Sequence, residues 1–113
     1  MAEVVTIVTG VVPTERIHEI VDPYQAALKD GPPPAIEQTL LLRHDGGQIA
    51  ILTMWRRRAD LDALLSSDEE PFARRLIREA GGTPEVSMYE VVGQAKAWAG
   101  FGPRDRSRRT QDS

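Results

Sequence analysis

The side chains suited to chemistry are few and scattered. His18 and His44 are the only imidazoles, and so the only side chains that titrate near neutrality in their ordinary state. His18 borders the apolar stripe of a predicted helix beside Val21, where it could overlook a pocket; the competing role is a boundary histidine that merely finds a partner. His18 is the candidate catalytic base. Three further residues are candidate ligand contacts. Trp55 ends an apolar strand, so its indole N–H could donate to a ligand carbonyl while the ring stacks on an aromatic; the competing role is filling space beneath a helix. Tyr24 lies on the core-facing stripe of the first helix, with its hydroxyl either offered to a pocket or satisfied in the core. His44 stands before an Asp-Gly turn and meets either a ligand or solvent. Tyr89, mid-strand, is better suited to packing.

Other combinations carry less. Arg56, Arg57 and Arg58 could hold an anionic group, but a charge run after a strand is ordinarily a solvated turn. Asp68, Glu69 and Glu70 are explained by the dipole of a following helix, and two separated histidines make no ligand set, so no metal site is expected. With no cysteine there is no disulfide, thiol nucleophile or thiolate ligand. The sequence also lacks a phosphate-cradling glycine loop and a nucleophile elbow.

The elements that must position these residues follow from pattern. Residues 3–12, EVVTIVTGVV, are rich in β-branched types and apolar on both alternating faces, with Val4 and Val8 on one and Val5, Ile7 and Val11 on the other. Such a strand requires cover on both sides. Thr14 is placed to cap a helix through about residue 29, with Ile17, Ile20, Val21, Tyr24 and Leu28 as its stripe. Pro23 predicts a kink or restart near Asp22. After the Gly31-Pro32-Pro33-Pro34 stop come strands over 35–43 and 48–55, joined at Asp45-Gly46 as a hairpin. The first sets Ile36, Leu40 and Leu42 on one face with Gln38; neither strand has a clearly polar face. A helix from Ala59 is interrupted near Pro71, with Ser67 capping its second part, and stops at Gly81-Gly82. Residues 84–92 form the last strand.

The order βαββαβ predicts an α+β, ferredoxin-like domain over residues 1–93: a four-stranded antiparallel sheet with its helices on one face. The open face is too apolar for solvent, so a homodimer through the sheet face is expected, closing a dimeric α/β barrel. Residues 94–113 are read as a partly disordered basic tail, with Trp98 and Phe101 docking on the body or on a partner. The 113-residue chain is 41% hydrophobic and 27% charged, with a net charge of −3. Its basic tail leaves the rest acidic, which argues against nucleic acid. No apolar tract reaches the ~20 residues of a membrane span, and no basic leader precedes the first strand, so a cytoplasmic protein with no membrane contact is expected.

The segment LTMWRRRADLDALLSSDEEPFARRLIREAGGTPEVSMYEVV resembles the second half of an antibiotic biosynthesis monooxygenase domain, a dimeric α/β barrel. The likeness rests on Trp55 at a strand end, the charged turn after it, Leu61, Phe72, and the closing pattern of Pro84, Val86, Tyr89 and Val91. It implies a small pocket between sheet and helices in each subunit. It also implies oxidation of a small aromatic, polyketide or quinol-like compound by molecular oxygen without cofactor. The alternative is a non-catalytic dimeric barrel that binds a small apolar ligand or a protein partner. Many members carry a histidine nine residues after the tryptophan, where this chain has Leu64. The absence of any asparagine removes the set associated with haem-degrading relatives.

Overall fold

The computed structural model describes residues 2–95. Expectations for the tail beyond them, including Trp98 and Phe101, lie outside the described residues. Four strands and three helices follow in the order β1 (Val4–Val11), α1 (His18–Leu28), β2 (Ile36–His44), β3 (Gln48–Trp55), α2 (Arg58–Leu65), α3 (Phe72–Glu79) and β4 (Glu85–Glu90). The sheet is antiparallel, in the order β2-β3-β1-β4. This is the ferredoxin-like arrangement, with the second helical unit divided into α2 and α3.

The alternation in the strands becomes two distinct faces. On the helix side, Val4, Thr6 and Val8 of β1 and Ile49, Ile51, Thr53 and Trp55 of β3 are all buried. They pack against Ile17, Ile20 and Tyr24 near and in α1, Leu61 of α2, and Leu76 and Ile77 of α3. The opposite face carries Val5 and Ile7 of β1, Leu52 and Met54 of β3, and Leu40 and Leu42 of β2. The register sets them in rows: Leu40 pairs with Leu52, which pairs with Ile7, and Met54 pairs with Val5. Among the described residues no helix lies over that face. Leu42 is 47% exposed and Tyr89, also on this face, 58%. Among the described residues no helix is long and apolar enough to cross a membrane.

Four local expectations are corrected. Ile36 does not share a face with Gln38, Leu40 and Leu42. A bulge between Ile36 and Gln38 shifts the register by one residue, so Ile36 lies opposite Trp55 on the helix side. Thr14 caps no helix; it lies in a short 3₁₀ turn over Thr14–Arg16, closed by the Arg16 N–H on the Pro13 carbonyl at 2.8 Å. Pro23 does not restart α1, which runs uninterrupted from His18 to Leu28. The proline costs one backbone bond to the Glu19 carbonyl, while buried Ile20 and Tyr24 hold the helix on either side. The hairpin expected at Asp45-Gly46 does join β2 to β3, through a 3₁₀ turn over Asp45–Gly47. Gly47 there has φ of +81°, and a Cβ would collide with the Val12 carbonyl oxygen, so only glycine fits.

Ser67 does not cap α3, and the acidic run is not in its first turn. The residue before a proline is pushed out of the helical region, so α3 starts only after Pro71. Ser67 instead donates to the Leu64 carbonyl at 2.8 Å and finishes α2. Glu70 is gripped by the Arg78 guanidinium through bonds of 2.6 and 2.9 Å, which pins the 66–71 connector to α3. That hydrogen-bonded pairing holds the Glu70 carboxyl below its usual range, with desolvation opposing it. A carboxyl depressed in the folded state stabilises above its unfolded pKa, and this contribution is lost as pH falls through the folded value. Glu70→Gln should therefore make the acid limb of Tm against pH shallower by calorimetry. The limb will not vanish, because Arg16 depresses Glu19 in the same way.

Candidate functional site

A cavity of about 610 Å³ opens between the helix side of the sheet and the helices. Its floor comes from Thr6 and Val8 of β1, Ile36 and Thr39 of β2, and Ile51, Thr53 and Trp55 of β3. One wall is Tyr24 and Leu28 of α1; the other is Leu61 and Leu64 of α2 with Phe72 and Leu76 of α3. The volume falls within the usual range for small-molecule sites, roughly 300–1,000 Å³. The lining is dominated by aliphatic and aromatic carbon, with two charged side chains, Asp60 and Arg74.

Two of the four residues expected at a site meet here. Trp55 and Tyr24 both line the cavity, and each is 9% exposed. Their polar atoms are engaged within the fold, however. The Trp55 indole Nε1–H donates to Thr6 Oγ1 at 3.0 Å, and the Tyr24 hydroxyl shares a 2.9 Å hydrogen bond with Thr39 Oγ1. Trp55 therefore offers the cavity the carbon of its ring, while its N–H does structural duty.

The two histidines are elsewhere. His18 is exposed and absent from the cavity lining, against the expectation that it overlooks the pocket. At about 100° per residue, it falls about 140° round the helix from the stripe that Ile20 and Tyr24 bury. His44 ends β2 on the helix-free face, in register with Gln48, so the whole sheet separates it from the cavity. The arginine run is exposed and held locally: the Arg56 Nε–H donates to the Pro34 carbonyl at 3.0 Å, and Arg58 lies 3.9 Å from Asp62. Among the described residues no group of three or more His, Cys, Asp or Glu is gathered to hold a metal.

Sequence reading missed the threonines and Asp60. Thr6, Thr39 and Thr53 are the hydroxyls of an apolar floor, and Asp60, half-buried, is the only carboxylate in the lining among the described residues. The available signal was a threonine on the buried face of each of three strands, which becomes meaningful only once the strands are in register. Leu64, where many members of the resembled family have a histidine, does face the cavity, but as an apolar wall.

No protein-family model matches the sequence, and no curated protein matches it. Solved structures do match the fold. A conserved protein of Methanosarcina mazei Go1 superposes with a TM-score of 0.61 at 15% identity, over 79% of this chain and 92% of that one. A proposed antibiotic biosynthesis monooxygenase from Deinococcus radiodurans gives 0.59 at 17% identity, over 82% of this chain and 95% of that one. A further antibiotic biosynthesis monooxygenase gives 0.54 at 14% identity, over 81% and 99%. The fold is that of the antibiotic biosynthesis monooxygenases. In this monooxygenase-like fold, the strand that ends at Trp55 and the helix that carries Leu64 supply facing surfaces of one cavity, as the sequence resemblance implied. At such identities the likeness concerns the fold, and the chemistry must be argued from the cavity.

Proposed function

We propose that this protein binds a small, flat, aromatic, polyketide or quinol-like compound in the cavity and oxidises it with molecular oxygen, without cofactor. The supporting observation is the cavity itself, of about 610 Å³, lined mainly by carbon and flanked by the Trp55, Tyr24 and Phe72 rings. Such a lining favours a flat apolar ligand and excludes water from an electron-rich anion formed there. For a phenol-activated methylene the reaction balances as CH₂ plus O₂ giving C=O plus H₂O. Loss of the phenolic proton makes the ring electron-rich enough to react with oxygen. The imidazole of His18 is not at hand, so the proton passes to Asp60, the carboxylate of the lining. The working unit is proposed to be a homodimer, because the apolar rows of the helix-free face have no cover among the described residues.

The second reading is a non-catalytic dimeric barrel that binds the same kind of ligand. It is favoured by the internal hydrogen bonds of Trp55 and Tyr24 and by both imidazoles lying outside the cavity. Oxygen uptake separates the two readings. With a panel of hydroquinones and hydroxylated anthrones, and no flavin or metal added, the oxygenase should outrun the protein-free blank. Asp60→Asn should slow it by about 10²-fold, the lower end of what a positioned base contributes. Uptake no faster than the blank, with compounds that demonstrably bind, would leave the binding module.

A further inference from the structure

The cavity floor contains a row of three hydroxyls. Thr39 of β2 pairs in register with Thr53 of β3, and Thr53 with Thr6 of β1. Directly opposed residues on antiparallel strands have Cβ atoms about 4.5–5.5 Å apart, so the three side chains stand side by side on the helix face. The outer two are occupied: Thr39 bonds Tyr24, and Thr6 accepts from Trp55. The middle one is not. Thr53 is 8% exposed, and its hydroxyl makes no hydrogen bond among the described residues. A hydroxyl carries one proton, and Thr6 uses a lone pair toward Trp55, so its own proton remains to be donated.

We infer that Thr53, assisted by its neighbour Thr6, is the group that orients the ligand, by donating hydrogen bonds to a carbonyl or phenolate oxygen. This rests on the reading of the cavity as a ligand site, and it narrows the ligand class. A cavity-facing hydroxyl without a protein partner bonds either water or a polar atom of whatever fills the cavity, so a ligand that displaces the water and offers no acceptor forfeits that bond. Two adjacent donors suit an oxygen with two lone pairs. No charged side chain belongs to this row, so neither an ammonium nor a carboxylate is matched there. The occupant is therefore a flat apolar body with an oxygen directed at the centre of the sheet. In the proposed oxidation the same oxygen gains negative charge as the proton leaves, and the two donors stabilise it where it develops. Trp55 and Tyr24 act as positioning residues: each fixes the threonine that flanks Thr53.

Fluorene and 9-fluorenone provide the test, because they share one flat skeleton and differ only in CH₂ against C=O. Dissociation constants would be measured for both on the full chain, as wild type, Thr53→Val and Thr53→Ser. Thr53→Val should weaken 9-fluorenone by about fivefold and leave fluorene within about twofold, since it removes one hydrogen bond but keeps shape. Thr53→Ser, which keeps the hydroxyl, should restore most of the loss. Retained fluorene binding reports that the variant is folded, and Thr53→Ala serves for the same comparison if valine is not accommodated. Equal weakening of both compounds, or of neither, overturns the role of Thr53 and leaves the cavity reading standing. Failure of both compounds to bind the wild type overturns the cavity reading and this inference together.

Discussion

Leu52→Glu should abolish the proposed sheet-face homodimer and leave a monomer. Leu52 sits mid-sheet on the helix-free face, between Leu40 and Ile7 in register. In a face-to-face dimer each copy would bring a carboxylate into an apolar interface, with no cation among its row neighbours. Burial of an unpaired charge costs several kcal/mol per ion, and each 1.4 kcal/mol is tenfold in affinity, so the dissociation constant should rise by more than about 10³. Leu52 is only half-buried in the single chain, so the fold itself should survive. Sedimentation velocity at micromolar concentration reads the outcome. A wild type that is already monomeric, or a variant that stays dimeric, removes the sheet face as the interface.

Trp55→Ala should be the most damaging change near the cavity. Trp55 is packed by Val4 and Leu61, with Ala35, Ile36 and Leu64 around them, and this cluster joins the sheet to α2. Truncation of a buried tryptophan typically costs about 3–5 kcal/mol through lost contact and residual void. The Thr6 hydroxyl would also lose its 3.0 Å donor, freeing it within the lining. For a domain of this size each kcal/mol lowers Tm by about 4–8 °C, so thermal unfolding by circular dichroism should show a large fall. Trp55→Phe, which keeps most of the ring volume, should fall much less. A loss under about 1 kcal/mol for Trp55→Ala would mean that the indole does not anchor the α2 side of the site.

The fold was legible because its determinants are local. β-branched alternation marks the strands, the stripe from Ile17 to Leu28 marks α1, and Pro71 divides the last helical unit. The same patterns disclosed an apolar open face, and they placed Trp55 and Tyr24 on the helix side of the sheet, where both line one cavity. Errors arose where one residue changes a register or a cap. The bulge before Gln38 turns Ile36 to the other side of the sheet, and Pro71 defeats the capping role assigned to Ser67. The site was less legible than the fold. His18 and His44 were singled out by chemistry, yet one lies off the buried stripe and the other on the far face. Thr6, Thr39 and Thr53 are unremarkable along the chain, and only pairing between strands distant in sequence makes them a row.

The central claim is that the cavity beside Trp55, rather than the open sheet face, receives a small flat ligand. Methyl-labelled NMR with 1-naphthol as the probe tests it most directly, because methyl groups mark both surfaces. Saturable shifts should concentrate on Val8, Ile51, Leu61 and Leu64, which line the cavity. Shifts confined to Leu40, Leu42 and Leu52, or none at all at saturating probe, would contradict the account.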